Sequence, residues 1–153
     1  MKSSIDKVTY IITTGITPEA VISSIWAYLD KEHINKLILL SSEKALDKAE
    51  QIADITKEVF GISLVQIEII DETEIRSSIQ KITEIMSKEK NEGNKIIVDI
   101  TPGRKTMSIA LYAAAREKNA DKILYLHLKD TSYQRTLYPE IPKSQVNLVN
   151  LIE

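Results

Sequence analysis

The chain has 153 residues, 43% of them hydrophobic and 27% charged, and 20 Lys and Arg against 22 Asp and Glu leave a formal charge of -2. That length suits one domain around one core, and near-neutrality argues against a broad surface for duplex nucleic acid, so any anion binding has to be local. Without cysteine there is no disulfide or thiolate chemistry, and His33 and His127 stand too far apart for a metal motif, so neither metal nor other cofactor is expected.

No apolar run reaches membrane-spanning length, and Met1 to Asp6 lacks the apolar stretch of a signal peptide, so a cytoplasmic protein with no membrane partner is the expectation. Val8 to Ile12 reads as a first strand, ending in Thr13-Thr14-Gly15. Thr17-Pro18-Glu19 starts a helix, with Thr17 as N-cap and Pro18 at the first helical position. Its inward face carries Val21, Ile22, Ile25, Trp26 and Leu29, so Trp26 reads as a packing residue.

Leu37 to Leu40 is a second, buried strand followed by Ser41-Ser42-Glu43. A helix from about Lys44 to Phe60 turns Ala45, Ala49, Ile52, Ala53 and Val59 inward, and Gly61 stops it. Leu64 to Ile70 alternates apolar and polar residues, as an edge strand does. Asp71 and Thr73 compete to cap a third helix bearing Ile75, Ile79, Ile82 and Met86, and Ser87 to Asn94 reads as a solvated, charged loop.

Ile96 to Ile100 is a near-continuous apolar run, the mark of a strand buried on both faces. Thr101-Pro102-Gly103 breaks it, and from Lys105 the spacing of Met107, Ala110, Leu111 and Ala114 is helical. A helix N-terminus placed directly after a strand presents free N–H groups and the positive end of a dipole. Arg104 and Lys105 add charge there, and Thr101, Thr106 and Ser108 add hydroxyls, so the spot suits a phosphate. It is not a Walker A loop, whose glycine spacing differs, and the first loop lacks the Gly-x-Gly-x-x-Gly of dinucleotide binders. The small face of Ala110, Ala113, Ala114 and Ala115 permits close approach to the sheet, to a second helix or to a second copy. Lys122 to Leu128 is a fifth strand, while Gln134 to Tyr138 and Val146 to Ile152 read as a C-terminal hairpin around Pro139 to Pro142.

Strand and helix alternating through five strands mean an α/β, Rossmann-like three-layer sandwich with a mainly parallel central sheet. Ligands bind such folds beyond the carboxyl ends of the strands, where strand order reverses. With order 3-2-1-4-5, the loops at Thr13-Thr14-Gly15, Ser41 and Thr101 to Thr106 converge on one crevice.

On these residues the chain resembles the CRISPR-associated Rossmann fold, or CARF, family. Thr13-Thr14-Gly15 and Asp99-Ile100-Thr101-Pro102-Gly103-Arg104-Lys105-Thr106-Met107 carry the likeness, the latter matching the family's Asp-x-Thr-Gly-Gly-x-Lys-x-Met loop except at Pro102. It covers a core of residues 5–130 of a single domain, 1–153, with the C-terminal strands at 131–153. The resemblance implies a homodimer that binds a cyclic oligoadenylate, with cyclic tetra-adenylate favoured over the hexa-adenylate. Thr13, Thr14, Gly15, Ser41, Thr101, Pro102, Gly103, Arg104, Lys105 and Thr106 become the ligand-binding residues. It also implies two functions. In one, a metal-independent ring nuclease lets the ribose 2′-OH attack its adjacent phosphate, Lys105 offsetting the transition-state charge and Thr14 orienting the substrate. In the other, a non-catalytic sensor regulates a partner effector, either as a stand-alone unit or as a fragment of a longer chain. The enzyme is placed slightly ahead, and an unrelated nucleotide- or phosphosugar-binding α/β domain is the distant third.

Overall fold

The computed structural model describes residues 6–153. In chain order it forms β1 (Val8–Thr13), α1 (Pro18–Leu29), β2 (Lys36–Ser41), α2 (Leu46–Phe60), β3 (Leu64–Ile69), α3 (Ile75–Asn91), β4 (Lys95–Asp99), α4 (Lys105–Glu117), β5 (Lys122–Leu128) and β6 (Val146–Asn150). The sheet order is β3-β2-β1-β4-β5-β6. The first five strands run parallel and β6 runs antiparallel to β5.

Side-chain alternation along the strands divides the core into two layers. Ile11, Ile38, Leu40 and Val98 pack under α3 and α4 against Ile82, Met86, Met107 and Leu111. Tyr10, Ile12, Leu37, Leu39 and Ile97 pack on the other face against Val21, Ile25 and Ile52 of α1 and α2. Trp26 belongs to this second layer, its ring 5.4 Å from that of Phe60 in an edge-on contact. The alanine face of α4 packs beside Ile82 and Met86 of α3, so the second helix it admits is one of its own.

Local signals account for most boundaries. Pro18 opens α1 behind an extended Thr17, although the Thr17 hydroxyl makes no capping bond. Gly61 ends α2 in the left-handed conformation at φ 68°. The α2 region begins with one 3-10 turn, Glu43–Ala45, capped by the Ser42 hydroxyl, so the α-helix proper starts later than its sequence spacing suggests. Val59 lies on the outer face of α2, 61% exposed, rather than in the core.

Three further expectations are corrected. Asp71 does not cap α3; its Oδ1 accepts from the N–H and hydroxyl of Thr73 in a local turn, and Glu74 takes the N-cap position. Ser87 to Asn91 is not a loop but the last part of α3, and Glu89 in it is buried. Gln134 to Tyr138 is not a strand. The 3-10 turns Thr131–Tyr133 and Tyr138–Glu140 flank a stretch of turn and bend there, and the hairpin-like partner of β6 is β5 itself. Pro139 and Pro142 supply no N–H for a ladder, which favours turns there over a strand.

Candidate functional site

The site forms where β1 and β4 lie side by side, each feeding a loop at its carboxyl end. The two loops interlock. Gly103 sits at φ +90°, and a Cβ built on it would stand 3.0 Å from both Cβ and Oγ1 of Thr13. A Cβ on Gly15 would stand 3.0 Å from the Cα and N of Gly103. Only glycine allows that approach at both positions. The Thr13 hydroxyl donates to the Pro102 carbonyl, and the Ser108 hydroxyl lies 3.2 Å from the same oxygen.

Beneath this junction Asp99 is fully buried. Its Oδ1 accepts from the Thr101 N–H at 2.8 Å and its Oδ2 from the Tyr10 hydroxyl at 2.6 Å. Burial pushes the Asp99 carboxyl above its usual range, opposed by the hydrogen bonds from Thr101 and Tyr10. Burial, and then the neighbouring Asp99, push the Tyr10 phenol well above its ordinary value, so it stays a donor. Thr101 is tied from its other side, its Oγ1 accepting from the Leu126 N–H at 2.7 Å. The loop is therefore anchored to both neighbouring strands.

Above the junction opens a cavity of about 610 Å³. Its floor and rim include Thr14, Gly15, Thr101, Pro102, Gly103 and Arg104, as the sequence reading expected. Thr13 and Ser41 are fully buried below it, the Ser41 hydroxyl donating to the Ser42 carbonyl at 2.7 Å. The Thr14 hydroxyl and N–H both donate to the Leu40 carbonyl at 2.9 Å, so in this almost fully buried residue at the cavity floor the hydroxyl oxygen keeps only acceptor capacity. Lys105 is exposed and does not line the cavity; by helical spacing it shares the outer stripe of α4 with Ile109, Tyr112 and Arg116. The Thr106 hydroxyl oxygen is buried with no hydrogen-bond partner.

Sequence reasoning did not assign Lys44, Lys48, Glu72, His127 or Tyr133, all of which line the cavity. The first two had a signal, since they lie four residues apart just past the serine-rich end of β2 and so share a helical face. His127 had none. It lines the cavity because β5 runs past β4: their ladder ends at Asp99 opposite Leu124, and Tyr125 to Leu128 continue with β6 alone. Tyr133 arrives on the turn-rich tail that crosses this end of the molecule, where Thr136 meets the Ser23 hydroxyl of α1. Arg104 pairs with Glu72, Nε to Oε2, at 3.5 Å.

The sequence matches the Card1 CARF domain family over residues 20–153. The chain belongs to the CARF family. No curated protein matches it significantly. Among solved structures, this CARF domain is similar to Can2 from Sulfobacillus thermosulfidooxidans in complex with cyclic tetra-adenylate, with TM-score 0.62 and 15% identity over 81% of this chain and 32% of that one. It is similar to Enterococcus italicus Csm6 bound to cyclic hexa-2′-fluoro-hexa-dAMP, with TM-score 0.65 and 12% identity over 96% and 42%. It is also similar to a type III CRISPR defence DNA nuclease activated by cyclic oligoadenylate, with TM-score 0.63 and 15% identity over 82% and 19%. The CARF chain thus spans less than half the length of each of these proteins. Among its described residues no helix is long and apolar enough to cross a membrane.

Proposed function

We propose that this CARF domain is a receptor for a cyclic oligoadenylate in type III CRISPR defence, with cyclic tetra-adenylate the favoured ring. The observation that carries the reading is the interlocked Gly15–Gly103 junction, which opens the α4 N-terminus, with Arg104 at its N-cap, onto a cavity rimmed by Lys44 and Lys48. Free N–H groups and the dipole end of a helix there suit a phosphodiester, and the 610 Å³ volume suits nucleotides. The ligands of Can2 and Csm6 support the choice of ring chemistry. A two-fold ring calls for two copies of the same loops, so the receptor is an isologous dimer. Lys105, outside the cavity of one copy, sits on the exposed α4 stripe with Ile109, which is 55% exposed, and reaches the ligand from the dimer axis.

Slow ring opening is the second reading. It is favoured by Thr14, whose oxygen remains an acceptor for a ribose 2′-OH, and by His127 and Glu72, groups able to move protons at the same cavity. In that chemistry the 2′-OH attacks the adjacent phosphate and the 5′-oxygen leaves, giving a linear product with a 2′,3′-cyclic phosphate. Incubating the protein with cyclic tetra- and hexa-adenylate in EDTA, with binding and product formation followed separately, tests both readings. Binding without products leaves the receptor alone; products without metal add the nuclease; no binding of either ring overturns the proposal.

A further inference from the structure

A site built for phosphate carries a carboxylate. Glu72, on the turn between β3 and α3, has a side chain only 14% exposed, and its Oε2 lies 3.5 Å from the Nε of Arg104, which is 71% exposed. Both residues line the cavity. The turn beneath Glu72 is held independently of Arg104. Asp71 Oδ1 accepts from the N–H and hydroxyl of Thr73 at 2.9 and 2.6 Å, the Asp71 carbonyl accepts from the Ser78 hydroxyl at 2.6 Å, and the Ile70 N–H donates to the Ser41 carbonyl at 2.8 Å. The backbone that carries the carboxylate is therefore fixed and the side chain mostly buried, whereas the long, exposed arginine has the greater freedom to move. For bare phosphate capture a carboxylate here is unfavourable, because it occupies part of Arg104 and repels the ligand's own charge.

We propose that Glu72 selects the charge state of the phosphate this site accepts, favouring the singly charged phosphodiester of a ring over the doubly charged end of a linear oligoadenylate. The inference rests on the cyclic oligoadenylate reading above. A phosphodiester carries one negative charge, whereas a terminal phosphate approaches two near neutral pH, its second pKa being about 6. Coulomb repulsion scales with ligand charge, so at equal distance the penalty in fold-affinity is squared for the terminal group. Arg104 can meet a diester with its terminal nitrogens while Nε stays toward Glu72, since a guanidinium offers five donors in a fixed fork. Lys44 and Lys48 keep the cavity attractive to anions, although Lys48 also donates to the Ile16 carbonyl at 3.1 Å.

The test compares affinities for cyclic tetra-adenylate and for linear tetra-adenylate with a 5′-phosphate, at fixed salt, in the wild type, Glu72→Gln and Glu74→Gln. Glu74 is exposed and outside the cavity, so its removal controls for net charge. Wild type is expected to prefer the ring. Glu72→Gln is expected to tighten the ring by about three-fold and the linear ligand by about nine-fold, narrowing the preference about three-fold. Glu74→Gln is expected to leave the ratio alone. A ratio unchanged by Glu72→Gln, a ratio shifted equally by Glu74→Gln, or weaker binding of both ligands in Glu72→Gln overturns this inference while the receptor reading stands. Wild type that binds neither ligand removes the receptor reading and this inference with it.

Discussion

Gly103 has two demands on it at once, a left-handed φ of +90° and a neighbour, Thr13, with no room for a methyl group. Gly103→Ala is therefore expected to cost about 1–3 kcal/mol of folding stability and to abolish ring binding, read by denaturant unfolding and by titration. A fully stable variant with unchanged affinity would remove the interlocked loops from the site. In the proposed receptor, Lys105 would make a different kind of contribution, electrostatic and made only with ligand present. Lys105→Ala is expected to weaken ring binding about ten- to a hundred-fold, the range for a hydrogen bond to a charged group, whereas Arg116→Ala should change it little. Each removes one positive charge from α4, and only Lys105 stands at its first turn. Equal losses would point to diffuse attraction by the whole helix.

Helix α3 shows how an element is fixed by one buried charge near its C-terminal end. Glu89 is 1% exposed, and its carboxylate accepts from the Thr9 hydroxyl at 2.7 Å, from Lys36 at 2.8 Å and from the Asn94 amide at 3.1 Å. One side chain thus joins α3 to β1, to β2 and to the turn before β4. Burial raises the Glu89 pKa, but the bonds from Lys36, Thr9 and Asn94 outweigh it and hold the carboxyl below its ordinary value. A depressed folded-state pKa means the ionised form favours folding. That stability is present above the unfolded value, about 4.3, and is lost as pH falls through the folded one. Glu89→Gln is expected to cost about 2–3 kcal/mol at pH 7, partly because Lys36 is left without its counter-charge, and the difference from wild type is expected to shrink as pH falls below about 4.3 and on through the folded-state value. Denaturant midpoints across that range check it; a constant difference at every pH would mean the loss comes from packing rather than charge.

For the molecule as a whole, the exposed outer stripe of α4 is the surface that a second copy would cover. Ile109, at 55% exposure, and Tyr112, at 38%, leave an apolar strip leading from Lys105, and Ile16 at the cavity rim is 75% exposed. In the proposed dimer these groups are buried between copies. Ile109→Asp is expected to give a folded monomer whose melting temperature is lowered only by the loss of association, with at least ten-fold weaker ring binding, followed by sedimentation and titration. A variant that remains dimeric would move the axis elsewhere.

How much of this could be read from residues alone follows from the range of each interaction. The strand–helix alternation, the Gly61 stop, the Pro18 start and the glycine turn after Asp99 are set within a few residues, and each was legible in the sequence. So were the loops of the junction, because a parallel sheet forces strand ends to one side. Only the tertiary structure turned Glu89 inward, because a half-buried Lys36 fifty-three positions away makes that favourable in a stretch whose composition otherwise reads as solvated. It alone decided that the hydroxyls of Thr13 and Thr14 go to Pro102 and Leu40. It also decided that β5 outruns β4 to bring His127 to the cavity, and that Glu72 meets Arg104 there. Sequence patterns report which face of an element is apolar; which polar group meets which depends on strand offsets and crossovers that no local pattern encodes.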